Sequence, residues 1–234
     1  MRRALAFLTV LGGSAPPGPT TLAWFPVVGA LLGAALGATW LGLERVMAPG
    51  LAAALVVVAD LALTGLLHVD GLADVGDGLI APLSRERRLA AMADPATGAF
   101  GVALVVATLL VRWAALASAR PQVLVVAALW CASRTAMAAV ARIVPYARPT
   151  GLARAFLGGP RARLVVALIL GALGALALAA TGGVRGVGAL LVAIAVAAGV
   201  AAVAWRRLGG FTGDVLGALG ILAETAGLVV WALR

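Results

Sequence analysis

Seven long apolar segments divide this chain, roughly at 22–43, 50–67, 98–119, 122–144, 164–181, 187–205 and 215–233. A helix needs about 20 consecutive apolar residues to cross the hydrocarbon core of a bilayer, since each residue adds only ~1.5 Å. The overall content of 63% hydrophobic residues also exceeds what a water-soluble core can use. We therefore predict an all-α, polytopic transmembrane bundle of about seven spans, forming one integral membrane domain over residues 1–234.

A shorter apolar run precedes the first of these segments. Arg2 and Arg3 stand before residues 4–11, as basic residues do in a signal peptide. That run is too short to span a bilayer, and the Pro-rich segment 14–19 interrupts it. We expect a retained helix that lies at the membrane interface.

The arginines predict the orientation of the bundle. If Arg2 and Arg3 are cytoplasmic, twelve arginines fall on the cytoplasmic side, two lie within spans, and only Arg45, Arg120, Arg185 and Arg234 fall outside. Basic residues accumulate in cytoplasmic loops of membrane proteins. We therefore predict that the N-terminus is cytoplasmic. The loops 68–97, 145–163 and 206–214 then form an active site that faces the cytoplasm, in a multi-pass protein of the plasma membrane.

The densest acidic segment is TGLLHVDGLADVGDG, residues 64–78, at the end of the second span. In a helix, the spacing of Asp70, Asp74 and Asp77 places three carboxylates on one face. Carboxylates so close repel one another, and a bound cation relieves that repulsion. Because hard oxygen ligands suit Mg²⁺, we predict that these aspartates are metal ligands. The alternative is that they only cap helices or solvate a loop.

His68, the only histidine, lies in the same segment. An imidazole beside a carboxylate cluster is a candidate catalytic group that accepts a proton. The alternative for a single histidine at a helix end is a satisfied polar residue without chemical function.

Two further segments contain candidate arginines and a cap. Asp94-Pro95 is typical of a helix N-cap followed by proline at the first helical position. Arg134, Tyr146 and Arg148 are predicted to bind substrate, since guanidinium groups can hold phosphate oxygens in bidentate fashion. Arginines that merely follow the positive-inside rule would look similar.

A glycine-rich turn, residues 208–214, leads into the last span. Backbone N–H groups at a helix N-terminus suit an anion, so the turn is predicted to bind substrate and Asp214 to be a further metal ligand or a helix cap. The predicted substrate-binding residues of the turn are Gly209, Gly210, Thr212 and Gly213.

Four ionisable residues lie inside the spans. Asp60, Arg134 and Glu224 fall at similar depths when counted from the predicted inner membrane edge, so we predict that they share one layer. That layer is either a structural ion-pair cluster or a floor beneath the active site. Arg112 lies deeper, and the sequence indicates no partner for it.

Small residues recur at helical spacing within the spans. Gly29, Gly33 and Gly37 follow one another at four-residue intervals, and Gly171 is followed by Gly174. Such spacing lets two helices approach closely, so we predict a role in packing and no chemistry.

Taken together, these segments resemble the cobalamin synthase family, the adenosylcobinamide-GDP ribazoletransferases. The block at 64–78 is the most specific element, and the matching segments follow the family order along nearly the whole chain. They are Phe25-Pro26, residues 64–78, MxDPxxG at 92–98, Ser133-Arg134, Tyr146-Ala-Arg148 with Gly151-Leu152, and GGxTGDxxGA at 209–218.

The resemblance implies a phosphotransfer that joins two large substrates. A hydroxyl of alpha-ribazole, or of its 5'-phosphate, would attack the phosphate on the aminopropanol arm of adenosylcobinamide-GDP, and GMP would leave. Mg²⁺ bound by Asp70, Asp74 and Asp77 would hold the pyrophosphate while Arg134 and Arg148 offset the developing charge. One of those catalytic aspartates, or His68, would accept the hydroxyl proton. We expect membrane lipid around the protein and no nucleic acid. Protein partners would be further copies of the chain or other enzymes of cobalamin assembly.

Two other classes would use similar carboxylates. A divalent cation transporter is disfavoured because the aspartates lie at a membrane edge and the chain shows no internal repeat. A lipid phosphotransferase of the CDP-alcohol type is disfavoured because Asp74 stands where its usual Asp-Gly-x-x-Ala-Arg pattern requires arginine.

Overall fold

The computed structural model describes residues 1–149, 151–156 and 158–233, and within them it contains helices and one isolated β-bridge but no β-strand. Arg234, which was counted among the outer arginines, lies outside the described residues. Ten α-helices occur in the described part of the chain. They are α1 (Arg2–Leu8), α2 (Phe25–Leu43), α3 (Pro49–Thr64), α4 (Leu67–Val75), α5 (Arg85–Ala91), α6 (Ala99–Ser118), α7 (Val123–Ile143), α8 (Arg161–Ala180), α9 (Gly183–Leu208) and α10 (Gly213–Trp231).

Six of the described helices are long and apolar enough to cross a membrane: α2 with its preceding turn, α6, α7, α8, α9 and α10. A seventh candidate is α3, which continues after a sharp bend into α4. The predicted helical bundle of about seven spans is therefore confirmed, and the protein is a multi-pass membrane protein. Its orientation in the membrane stays a prediction.

The bend between α3 and α4 determines where the acidic segment lies. Gly65 and Leu66 both have left-handed backbone conformations, with φ of 59° and 62°, and the chain turns through 94° there. Glycine adopts such a conformation at a helix C-terminus without steric cost. When α3 crosses the bilayer, α4 therefore lies along the membrane plane, at one end of the bundle and outside the spans.

Helices α7 and α10 form the centre of the bundle, and α2 packs closely on α7. A Cβ atom added to Gly33 would lie 2.7 Å from the carbonyl oxygen of Val126, and one added to Gly37 would lie 2.8 Å from Cα of Val123. The predicted packing role of this glycine row is confirmed. Gly171 is likewise close-packed, whereas a Cβ at Gly174 would contact no atom.

The N-terminal segment forms the predicted helix, α1, and packs on the bundle. Ala4 and Leu8 are completely buried. The ring of Phe7 lies 6.0 Å from that of Phe25 and meets that of Phe156 edge-on at 5.0 Å. These contacts place Phe7 at the same end of the bundle as the loop that contains Phe156.

Candidate functional site

The acidic helix α4 lies across the beginning of α10. A Cβ atom at Gly71 would come within 2.8 Å of the carbonyl oxygen of Asp214, and one at Gly217 would come within 3.2 Å of Cα of His68. The two backbones can approach so closely only because glycine stands at the crossing. This contact brings Asp214, far away in sequence, to Asp70 and Asp74.

Asp77 lies in a different environment from the other two aspartates of the segment. A π-helical turn, Gly76–Ile80, follows α4 and changes the helical register. The two carboxylate oxygens of Asp77 accept hydrogen bonds from the backbone N–H groups of Gly98 (2.6 Å) and Gly101 (2.9 Å) at the start of α6. A carboxylate there satisfies unpaired donors and interacts favourably with the helix dipole.

The predicted helix cap at Asp94 is wrong. Helix α6 begins at Ala99 with Gly98 as N-cap, and Asp94 lies in an exposed turn where it accepts a hydrogen bond from Ala96 N at 2.9 Å. The carboxylate that binds the first turn of α6 belongs to Asp77, more than twenty residues away from the helix start.

Replacement of Asp77 tests this capping role. Asp77→Asn removes one of the two acceptor oxygens and the negative charge, so we expect a loss of about 1 kcal/mol in the free energy of unfolding. A lower thermal midpoint of the purified protein would show this loss. Asp94→Asn, in the exposed turn, is the matched control and should leave the midpoint unchanged; equal midpoints for both variants would contradict the capping role.

The charges around Asp74 are unbalanced. Burial, followed by the negative charges of Asp214 and Asp70, raises the pKa of Asp74 from its ordinary value to about 7, and Arg148 only partly counteracts this. Such a cluster is short of positive charge, which is the condition that a bound cation relieves. Within the described part of the chain, no three His, Cys, Asp or Glu side chains are close enough together to hold a metal ion as they stand. Metal binding therefore stays a prediction for these residues.

Arg148 is the cation nearest to this cluster. Its Nη2 lies 3.1 Å from Oδ2 of Asp214 and donates a hydrogen bond to the carbonyl oxygen of Met92 at 3.0 Å. The segment just before it is bonded to the loop before α10, since Ala147 N donates to Phe211 O and Phe211 N to Pro145 O. The predicted substrate-binding residue Tyr146 forms the β-bridge with Phe211.

Most of the glycine-rich turn before α10 has a structural explanation. Gly209 ends α9 in a left-handed conformation with φ of 75°, and a side chain at Gly210 would overlap the carbonyl of Pro145. The buried Thr212 caps α10 by accepting a hydrogen bond from Val215 N. Of the four turn residues predicted to bind substrate, only Gly213 lines the cavity between α4 and the start of α10.

A cavity of about 240 Å³ opens beside α4 and the start of α10. Its more exposed lining residues include Asp70, Arg148 and Asp214, whereas Asp74 does not line it. Its buried lining is mainly apolar and includes Met137, Ala153, Phe156 and Leu216, with Phe7 partly buried beside them. Sequence reasoning missed these apolar residues, because they come from four separate parts of the chain.

His68 is the one titratable side chain in the buried part of this lining among the described residues. It is 4% exposed, and its Nε2 has no hydrogen-bond partner among the described residues. A buried polar atom without a partner is costly and calls for an explanation.

A network of charged side chains lies within the spans. Arg112 pairs with Asp60 and, at 2.6 Å, with Glu224, and it donates a hydrogen bond to Thr225. Arg134 pairs with Glu224 as well. The predicted layer of Asp60, Arg134 and Glu224 is confirmed, and Arg112 joins it. Counting residues from the predicted membrane edge did not place Arg112 in this layer, because such a count assumes that all spans begin at one level.

Arg134 does not line the cavity, although it was predicted to bind substrate. It is only 1% exposed, and its Nη1 contacts Glu224 and Ser133. A guanidinium inside a membrane span is costly unless it is paired, and Glu224 provides that pairing.

Comparisons with known proteins cover nearly the whole chain. The family model of cobalamin-5-phosphate synthase matches residues 1–232. The chain is 37% identical over 242 residues to a protein of Bradyrhizobium diazoefficiens named adenosylcobinamide-GDP ribazoletransferase, an alignment that covers 99% of this chain and 92% of that protein. It is 40% identical to proteins of the same name from Stutzerimonas stutzeri and Pseudomonas aeruginosa, with 99% and 98% of this chain and 96% of each relative covered. No solved structure matches the chain.

Proposed function

Because the chain belongs to the cobalamin-5-phosphate synthase family, we propose that it is an adenosylcobinamide-GDP ribazoletransferase. It joins alpha-ribazole, or its 5'-phosphate, to adenosylcobinamide-GDP with release of GMP. The observation that carries this proposal is the similarity to relatives of that name over nearly the full length of both chains. The charged residues Asp70, Arg148 and Asp214, at the end of the bundle where α4 meets α10, also support the proposed function.

The reaction breaks a phosphoanhydride bond and forms a phosphate ester bond. An oxygen of a ribazole hydroxyl forms a bond to the phosphorus on the aminopropanol arm, the bond from that phosphorus to the GMP oxygen breaks, and the hydroxyl proton passes to a carboxylate. Phosphoryl transfer depends mainly on positioning and charge neutralisation. Asp70, which lines the cavity, or Asp74, one turn further along α4, accepts the proton.

Arg148 is the candidate phosphate ligand of this site. It is partly exposed, it lines the cavity, and one nitrogen of its guanidinium is held by Asp214 and Met92 O. The remaining donors of the planar guanidinium, on Nε and Nη1, can each bind a phosphate oxygen.

Mg²⁺ would be held by Asp70, Asp74 and Asp214. The donor set fits in kind, since these are carboxylates, and the raised pKa of Asp74 reflects their excess negative charge. When bound, the ion would neutralise charge on the phosphate oxygens. Asp77 could join them only by giving up its hydrogen bonds to α6.

The decisive experiment measures GMP release by purified, lipid-reconstituted protein supplied with adenosylcobinamide-GDP and ribazole. We expect one GMP for each corrinoid product, and no GMP when ribazole is omitted. Folded protein that forms no joined product would refute the proposed function.

Replacement of Arg148 by lysine should weaken binding of the nucleotide-bearing substrate. A lysine ammonium keeps the charge but lacks the planar set of donors that can hold Asp214, Met92 O and phosphate oxygens at once, so KM for adenosylcobinamide-GDP should rise about tenfold, equivalent to ~1.4 kcal/mol. Arg87→Lys, on the exposed face of α5, is the control. An unchanged KM would show that Arg148 does not bind the phosphates of this substrate.

The site faces the cytoplasm, in a protein of the plasma membrane, as the arginine distribution predicts. Single cysteines test this in a background where the buried Cys131 is replaced by alanine. A membrane-impermeant maleimide should label Arg45→Cys in intact cells, but Glu86→Cys only after permeabilisation; both positions are exposed. The reverse labelling pattern would overturn the orientation.

A further inference from the structure

The cavity at the acidic end of the bundle has two unlike sides. Asp70, Arg148 and Asp214 stand at its more exposed side. Met137, Phe156 and Leu216 are each no more than 3% exposed and form its inner side. A ligand that fills the cavity therefore carries a polar or charged group at one end and a compact apolar group at the other.

The inner side is suited to an aromatic ring. Phe156 belongs to a cluster with Phe7, edge-on at 5.0 Å, and Phe25, at 5.8 Å. Aromatic rings prefer such edge-to-face and offset arrangements, so a further flat ring is stabilised beside Phe7 and Phe156 beyond its burial alone.

One polar atom of the inner side lacks a partner within the described part of the chain. It is Nε2 of His68, an atom that is itself fully buried; the residue lines the cavity and is 96% buried. The neutral imidazole ring carries one N–H group, which can donate one hydrogen bond to a ligand.

Three large groups take part in the proposed reaction, and they differ in size and polarity. A corrinoid macrocycle is far larger than a cavity of about 240 Å³. Guanine would fit by size, but its edge carries several donors and acceptors, each of which costs about 1–3 kcal/mol when it is buried without a partner. The benzimidazole base of ribazole is apolar apart from one ring nitrogen, an acceptor, that is not bonded to ribose.

We propose that this cavity is the binding site for the base of ribazole, and that the His68 imidazole donates a hydrogen bond to the free ring nitrogen of that base. The inference rests on the proposed function and names the subsite for one of its two substrates. The ribose then extends toward Asp70, Arg148 and Asp214, where its hydroxyl meets the phosphate. In this assignment, His68 recognises the substrate.

Steady-state kinetics with ribazole and a matched analogue test the assignment. In the indole nucleoside of the same sugar, a C–H group replaces the free ring nitrogen and the shape is preserved. The wild-type protein should show a KM about tenfold higher for the indole nucleoside than for the benzimidazole nucleoside, since one hydrogen bond is lost and a donor is left unpaired. Equal KM values for the two nucleosides would overturn the assignment without any variant being needed.

Two variants of His68 complete the comparison. His68→Leu removes the donor, so KM for the benzimidazole nucleoside should rise about tenfold while KM for adenosylcobinamide-GDP stays unchanged and discrimination against the indole nucleoside disappears. His68→Gln keeps an N–H donor and should restore part of the discrimination. A selective rise of KM for adenosylcobinamide-GDP would place guanine in the cavity, and an equal rise for both substrates would indicate a merely structural histidine.

These outcomes are distinct from failure of the proposed function. If the wild-type protein joins no substrates, the proposed function fails. If it releases GMP normally but accepts both nucleosides with equal KM, the transferase function stands and only the base site is refuted.

Discussion

Asp74→Asn should lower turnover at least ~100-fold while the protein remains folded, a loss of roughly 2.7 kcal/mol of transition-state stabilisation. Asp74 is half-buried among Asp70, Asp214 and Arg148, and it has no hydrogen bond that ties it to another helix among those in the described part of the chain. The change preserves shape and removes one charge. If Asp74 is catalytic, its replacement should therefore lower turnover and leave the stability of the fold unchanged.

Glu86→Gln is the matched control, since Glu86 is an exposed carboxylate on the neighbouring helix α5. Turnover per folded molecule should be unaffected by it. Excess Mg²⁺ or Mn²⁺ should partly restore Asp74→Asn if the variant has lost metal affinity and kept its geometry. Normal turnover together with an unchanged Mg²⁺ requirement in Asp74→Asn would refute the metal site.

Arg112→Met should destabilise the bundle by roughly 3–5 kcal/mol, because it leaves the buried carboxylate of Asp60 without its cation. Arg112 is 1% exposed and contacts Asp60 of α3 and Glu224 of α10, while Arg134 of α7 also binds Glu224. One network thus joins four spans. A loss of this size is comparable to the whole stability of many folded domains, so the yield of folded protein should fall strongly.

The double variant Arg112→Met with Asp60→Leu distinguishes an unpaired charge from lost packing. It removes the orphaned carboxylate and leaves Glu224 paired with Arg134, so it should recover much of the stability that the single variant loses. Arg120→Met, at an exposed position, is the control. Wild-type thermal stability in Arg112→Met would show that the network does not hold the spans together.

Several features of this protein follow from the sequence because they depend on local composition or on spacing along one helix. The spans are visible because crossing a bilayer requires a long apolar helix, and their ends agree with the observed helices to within a few residues. A packing role was predicted for Gly29, Gly33 and Gly37, since small residues on one helix face permit close approach, and the structure shows α7 as the partner. The resemblance to a family was also available from the motifs alone, and the full-length match confirms it.

Only the tertiary structure decided which side chains meet. Asp77 leaves the predicted row of three carboxylates because a π-helical turn follows α4 and because the first turn of α6 offers two unpaired N–H groups. The same contact makes the predicted cap at Asp94 wrong. Neither event is visible in the local sequence, since each depends on where a distant helix begins.

The buried network and the cavity depend on the tertiary structure in the same way. Arg134 was predicted at the site and instead pairs with Glu224, and Arg112 finds both its partners on other spans. Phe7, Met137 and Leu216 share one cavity although they are far apart in the chain. The sequence by itself determined which segments cross the membrane and which chemistry they carry, because hydrophobicity and motif spacing act along the chain. The relative heights and crossings of the helices decided which charges pair and what lines the cavity, because those contacts act between segments that the sequence does not place side by side.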